Sequence, residues 1–217
     1  EDDNVYMKTV KGPLKVDCIY RRLDDSFLDP KVFNKDSLIG VPGLFKCWLK
    51  KNVGILNAIG TGVADDKVVY SYVNRMITYY LGEQPLLNQV ETYLCHEEDQ
   101  KKYVLENLSK LVVKPANASG GYGLMIGPKA PKKEIEEVRQ KILKNPREFI
   151  AQPLEVLSTG PTITNNNIEP RHVDLRPFVL TGKSNYVTSG GLTRVALRKG
   201  STIVNSSQGG GSKDTLI

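Results

Sequence analysis

The sequence is poor in the residues that staple or metallate small proteins. Its three cysteines, Cys18, Cys47 and Cys95, lie far apart and form no C-x-x-C pair. That excludes a disulfide framework and a cysteine zinc site, and three buried thiols in a reducing cytosol are expected instead. Histidine occurs only twice, and nothing in the sequence reads as a catalytic triad. No apolar run is long enough for a membrane span, and Glu1, Asp2 and Asp3 are the opposite of a signal peptide's basic start. A cytoplasmic protein without membrane contact is the expectation. Clustered positive charge is also missing. The net charge of +6 would suit a polyanion, but Lys101-Lys102 and Lys132-Lys133 stand beside Glu97-Glu98-Asp99 and Glu134, Glu136 and Glu137. Such mixtures are solvated helix faces, so no nucleic-acid partner is expected.

What is present suffices for a core: 40% of the residues are hydrophobic and 25% charged, near globular averages. A length of 217 residues suits one compact unit plus part of another. The abrupt ends read as those of a fragment.

Periodicity predicts strands over residues 14–22, 53–57, 111–115, 124–127, 149–152, 171–180, 186–198 and 201–205. Helices are predicted from Asp36 or Ser37 through Leu49, and over residues 64–81, 98–110 and 131–144. The strongest helix signal is residues 64–81, with Val68, Val69, Tyr72, Val73, Met76, Ile77, Tyr80 and Leu81 on one stripe. Asp65 and Asp66 suit its first turn, where the dipole favours negative charge. Lys67 does not, so it is either an exposed oddity or a functional residue.

The chemistry concentrates in Val113-Lys114-Pro115 and Ser119-Gly120-Gly121-Tyr122-Gly123. Glycines allow close backbone approach to an anion, and a strand lysine adds a point charge for it. A Walker A loop is excluded because Lys114 precedes the glycines, and a dinucleotide fingerprint because the third glycine is absent and a strand follows. A glycine-tipped hairpin over a nucleotide remains, although such a hairpin is also an ordinary structural turn. On the alternating strand, His172, Asp174 and Arg176 share one face. Asp174 and Asn205 suit magnesium together with phosphate oxygens. Arg21 and Arg22, at a strand's C-terminal end, suit a bidentate grip on a substrate carboxylate or simple solvation. With Tyr20 and Arg171 they hint at an acidic acceptor.

The order Gly60-Thr61-Gly62-Val63-Ala64-Asp65-Asp66-Lys67, Val113-Lys114-Pro115, Ser119 to Gly123, Ile150-Ala151-Gln152-Pro153, Glu169-Pro170-Arg171-His172-Val173-Asp174-Leu175-Arg176 and Asn205-Ser206-Ser207-Gln208-Gly209-Gly210-Gly211-Ser212-Lys213-Asp214 resembles the circularly permuted ATP-grasp proteins often labelled glutathionylspermidine synthase-like. The resemblance implies an α+β fold in which two subdomains grip ATP. Residues 1–62 would be part of a pre-ATP-grasp region, 63–153 the lid subdomain, and 154–217 an incomplete C-terminal subdomain. It implies that Lys67 and Lys114 bind nucleotide, with Ser119, Gly120, Gly121, Tyr122 and Gly123 as the lid loop. Gln152, Pro153 and Leu154 would be the adenine-side hinge and Glu155 a ribose contact. Asp174 and Asn205 would hold Mg2+, while Arg176 and Arg194 steady the transferred phosphate. Ile203 stands where the family's usual pattern has glutamate.

The expected activity is an ATP-dependent carboxylate–amine ligase working through an acyl phosphate. A small-molecule or peptide carboxylate and an amine are its expected partners, and the rest of a longer chain would complete the cleft. This stretch alone is expected to be inactive. An ATP-binding module without turnover and a small-molecule kinase are the alternatives.

Overall fold

The structure, a computed structural model, describes residues 2–118, 123–164, 166–205 and 209–216. The chain divides into two compact units, Glu1–Glu83 and Gln84–Ile217. The longest helix therefore belongs with the first unit, whereas the sequence reading divides the chain at 62/63 and 153/154. No helix among the described residues is long and apolar enough to cross a membrane.

In the N-terminal unit, β1 (Tyr6–Thr9) and β2 (Gly12–Lys15) form an antiparallel hairpin, and β3 (Cys18–Tyr20) leads into α1 (Asp25–Leu28) and α2 (Leu44–Leu49). The single strand expected over residues 14–22 is thus two. Its second part pairs in parallel with β4 (Gly54–Leu56), and the Asp17 carbonyl accepts the Gly54 N–H at 2.8 Å.

The helix expected from Asp36 or Ser37 starts later, at Leu44, because its cap comes from elsewhere. Fully buried Asp29 accepts backbone N–H groups from Lys31, Gly43 and Phe45 at 2.9–3.0 Å. That satisfies donors at the start of α2 that have no partner within the helix. Ser37 instead donates to the Phe27 carbonyl at 2.8 Å. Leu28, Leu44, Cys47, Val53 and Ile55 pack as the core, with Trp48 against it. Cys18 is exposed, which corrects the expectation of three buried thiols.

A 3-10 turn, Thr61–Asp65, precedes α3 (Lys67–Leu81). Asp66 stands outside the helix as its N-cap, accepting from the Val68 N–H at 2.8 Å. The chain leaves α3 through Gly82 at φ 67°, the left-handed conformation that favours glycine at a helix end.

The C-terminal unit begins with β5 (Tyr93–Leu94), α4 (Glu98–Asn107), β6 (Leu111–Pro115), β7 (Met125–Ile126), α5 (Lys132–Lys144) and β8 (Phe149–Pro153). These strands make an antiparallel sheet in the order β5-β8-β6-β7. Val104 of α4, Leu108 just after it, and Val138 and Ile142 of α5 cover one face of it. There they meet Leu111, Val113, Met125, Ala151 and Cys95. Burial pushes the Cys95 thiol up to about 12, so it stays protonated and inert. Because side chains alternate across a strand, Val112 and Lys114 of β6 stand on the face opposite Leu111 and Val113.

A second antiparallel sheet follows, of β9 (Thr159–Thr164), β10 (Asn167–Thr181), β11 (Asn185–Val195) and β12 (Gly211–Leu216), in the order β12-β11-β10-β9. The strand expected over residues 201–205 does not form, since β12 takes the edge of β11 along Gly190–Val195. Asp174 lies directly opposite Arg194 in the β10–β11 register, which shifts between Pro177 and Val179.

Candidate nucleotide site

Beside the first sheet of the C-terminal unit lies a cavity of about 460 Å³. Val112, Leu124 and Ile126 give it an apolar surface. Lys114 comes from the same face of β6 as Val112, and Gln152 is the cross-strand partner of Val112. Lys114 and Gln152 are therefore diagonal neighbours, close enough for long side chains to meet. The Lys114 Nζ donates to Gln152 Oε1 at 2.5 Å, and Gln152 Nε2 donates to Thr92 Oγ1 at 2.8 Å. Both ends of the buried amide are thereby fixed, and it aims the ammonium group. The chain leaves β8 as Pro153, Leu154 and Glu155 along the cavity rim, with Glu155 exposed.

The opposing side of the cavity carries Arg176, Arg194, Ile203, Val204 and Asn205. Arg194 Nε donates to Asp174 Oδ1 at 2.8 Å, its Nη2 pairs with Asp174 Oδ2, and its Nη1 donates to Asn205 Oδ1. The hydrogen bond to Asp174 raises the pKa of the guanidinium further, so its charge is permanent. Asn205 is placed by a tight return of the chain in which the Gly210 N–H donates to the Asn205 carbonyl at 2.9 Å. Only glycine fits at 210, because a Cβ there would lie 2.2 Å from the Val204 carbonyl oxygen.

The donor chemistry fits a hard divalent cation. A carboxylate and a neutral amide oxygen converge on one positive group, and no cluster of three or more His, Cys, Asp or Glu exists among the described residues. Phosphate oxygens and water would have to complete the shell, as magnesium sites with few protein ligands require.

Eight residues singled out in the sequence thus line one cavity: Lys114, Gln152, Pro153, Leu154, Glu155, Arg176, Arg194 and Asn205. Asp174 joins them through Arg194. Ser119, Gly120, Gly121 and Tyr122 lie outside the described residues. Gly123 is described: its φ is 71°, and a Cβ would come within 2.9 Å of Pro115 Cγ, so it needs glycine for two reasons.

Lys67, Arg21 and Arg22 belong to the N-terminal unit. Burial pushes the pKa of half-buried Lys67 down, against the opposing pull of Asp66 and Asp65. Arg21 is buried and donates to the carbonyls of Leu23, Asn57 and Ala58 while pairing with Asp25 at 2.6 Å. Its guanidinium is committed to holding this loop, and the exposed cation beside the loop is Arg22. Arg171 is likewise buried, bonded to the Leu197 carbonyl and to Glu169, which removes it from any acidic-acceptor surface. His172 Nδ1 lies 2.7 Å from the Leu157 carbonyl, a structural hydrogen bond.

Sequence reasoning missed Thr92 and the apolar lining. Alternation from Lys114 would have found Val112, but no local signal links Thr92 to Gln152 across 60 positions.

The family model for circularly permuted ATP-grasp type 2 proteins matches residues 1–196. An uncharacterized protein of Synechocystis is 56% identical over 217 residues, which is 100% of this chain and 45% of that protein. One of Mycobacterium tuberculosis is 53% identical over 217 residues, again all of this chain and 39% of its own length. A Frankia casuarinae protein with the provisional name glutamate–cysteine ligase 2-2 is 50% identical over 218 residues, covering 100% of this chain and 25% of that protein. The chain therefore spans less than half the length of these curated relatives.

Proposed function

Because the chain belongs to the circularly permuted ATP-grasp type 2 family, we propose that it carries the nucleotide site of an ATP-dependent ligase that joins a carboxylate to an amine. The observation that carries this reading is the convergence of Lys114, Arg176, Arg194 and Asn205 on one cavity with an apolar wall. The apolar wall suits adenine, and the backbone of Pro153 and Leu154 suits its polar edge. Glu155 takes the ribose, and Lys114, Arg176 and Arg194 neutralise the phosphates.

Magnesium would be held by Asp174 and Asn205, and it would supply neutralisation of phosphate charge there. A substrate carboxylate oxygen attacks the γ-phosphorus and ADP leaves. The amine nitrogen then attacks the acyl carbon, expels phosphate and loses a proton, giving the amide. Such transfers need positioning and charge and no protein nucleophile, in keeping with a site built of cations. Within the family, amide formation of the glutathionylspermidine synthase-like type is the one we favour, with a peptide-type carboxylate. The Frankia name adds support for a ligase, but it belongs to a chain of which this match covers only 25%. It therefore supports a reaction class and assigns no substrate.

One observation favours a second reading, an ATP-binding module without turnover: Ile203 lines the cavity where the family's usual glutamate would stand. Full-length protein incubated with ATP, Mg2+ and a panel of amino acids and amines, followed by mass spectrometry for new amides, decides between them. Hydroxylamine is expected to trap the acyl phosphate as a hydroxamate. Lys114→Met is expected to weaken ATP binding about tenfold or more, the loss of one charge-assisted contact. Tight ATP binding with no ADP release for any pair would favour the module.

A further inference from the structure

Arg194 is a cation whose donors already take up the oxygens of Asp174 and Asn205. Its fork spends Nε and Nη2 on both carboxylate oxygens of Asp174, and Nη1 on the side-chain oxygen of Asn205. These are the same oxygens that the proposed function assigns to magnesium. The arrangement is inherent in the fold, since Asp174 and Arg194 face each other across two paired strands and the Gly210 return fixes Asn205. Both side chains are largely shielded, at 16% exposure for Arg194 and 25% for Asp174. A bidentate arginine–carboxylate pair in such surroundings is a strong contact, and the same planar fork matches phosphate oxygens equally well.

We propose that Arg194 is the internal counter-ion of the Asp174–Asn205 site and competes with divalent metal for its oxygens, so that metal binds tightly only together with a polyphosphate. Metal alone would bring two more positive charges beside Arg194, Arg176 and Lys114, and like charges repel most where water is scarce. A metal–polyphosphate complex brings net negative charge and offers the guanidinium new acceptors, releasing Asp174 and Asn205 to the metal. The inference rests on the nucleotide-site reading above. It adds that the metal is admitted as part of the nucleotide complex and that Arg194 is the group that enforces this.

The test is Mn2+ binding to the full-length protein, read from the electron paramagnetic resonance signal of free Mn2+, with no activity measured. Without nucleotide, Arg194→Met is expected to bind Mn2+ at least about tenfold tighter than wild type, as a vacated carboxylate accepts a new cation. Asp174→Asn in the same background is expected to abolish that gain. Arg194→Lys, which keeps the charge and guards against a misfolded variant, is expected to stay within about threefold of wild type. Wild type is expected to bind Mn2+ at least about tenfold tighter once β,γ-methylene-ATP is added.

The proposal is overturned if Arg194→Met binds no tighter than wild type without nucleotide, if Arg194→Lys gains as much as Arg194→Met, or if the double variant keeps the gain. If wild type still takes up Mn2+ with the analogue in any of those cases, the nucleotide site stands and only the competition falls. If it takes up none, both fall.

Discussion

The two units solve the problem of organising a short chain by different means. In residues 1–83 the apolar core is small, namely Leu28, Leu44, Cys47, Val53 and Ile55, and it is accompanied by buried Arg21, Asp29 and Ser37. Each of those polar side chains bonds backbone groups from distant loops. In residues 84–217 two helices cover one sheet face with aliphatic side chains, Lys114 and Gln152 of the candidate site stand on the other face, and a second sheet carries Asp174, Arg176 and Arg194. The first unit thus uses buried polar groups as scaffold, and the second keeps scaffold and chemistry on separate faces. The two should fail under different insults.

The largest effect is expected at Asp29. Replacing it with alanine strands the N–H groups of Lys31, Gly43 and Phe45. Each unsatisfied buried donor costs roughly 1–3 kcal/mol, so a loss of about 4 kcal/mol is expected. Trp48 is the only tryptophan and packs on that core, so its fluorescence in a urea titration reports the loss. A change under about 1 kcal/mol would mean that apolar contacts hold this unit after all.

Next comes Ile142, fully buried in the C-terminal core. Ile142→Ala is expected to cost about 3 kcal/mol and Ile142→Val about 1 kcal/mol, through lost transfer energy and a cavity. Far-UV circular dichroism during thermal unfolding measures both, and near-equal losses would show that the site collapses around either variant.

Acid should separate the units more gently. Burial pushes the Asp29 carboxyl up, but the N–H groups of Phe45, Gly43 and Lys31 outweigh it and hold its pKa below the usual carboxylate value. Asp24 is also lowered, by the hydroxyl and N–H of Ser26. A depressed carboxylate contributes its stability above the unfolded pKa of about 4, and loses it as pH falls through the folded value. The apolar cluster of the C-terminal unit holds no carboxylate. Trp48 fluorescence is therefore expected to report acid destabilisation of the N-terminal unit below about pH 4, and Asp29→Asn to flatten that dependence. An equal pH dependence in Asp29→Asn would break the contrast.

The parts legible in the sequence were those written in local periodicity. The patterns over residues 98–110, 111–115 and 131–144 became α4, β6 and α5 within a few positions, because each side-chain repeat there matches a face that packs. The resemblance supplied Arg194 and Gln152 as candidate site residues, and the strand reading supplied Asn205, but neither supplied their hydrogen-bond partners. Asp29 reaching Gly43 and Arg21 reaching the Asn57 and Ala58 carbonyls are contacts 14, 36 and 37 positions apart, and no repeat encodes them. Arg21 looked like a ligand for this reason: an arginine at a strand end reads the same whether a substrate or a loop accepts its hydrogen bonds. The Arg194 clasp was hidden because it depends on the register of a long hairpin that shifts at Pro177/Val179.

The smallest effect is expected on α3, whose sequence gave the strongest helix signal. Its stripe covers little in this unit: Val68 is buried, whereas Tyr79 is 82% and Tyr80 76% exposed. An exposed aromatic side chain leaves its transfer energy unspent, so removing it changes little. Tyr79→Ser and Tyr80→Ser are each expected to shift the stability of this chain by no more than about 0.5 kcal/mol. Part of even that cost is expected from the edge-to-face contact of the two rings, whose centroids are 4.9 Å apart. The double variant should then lose less than the sum of the singles, since either substitution alone already breaks the pair. A single loss above about 1 kcal/mol in urea titrations would mean that this face is covered in solution, and the N-terminal unit would have to be credited with a second apolar surface.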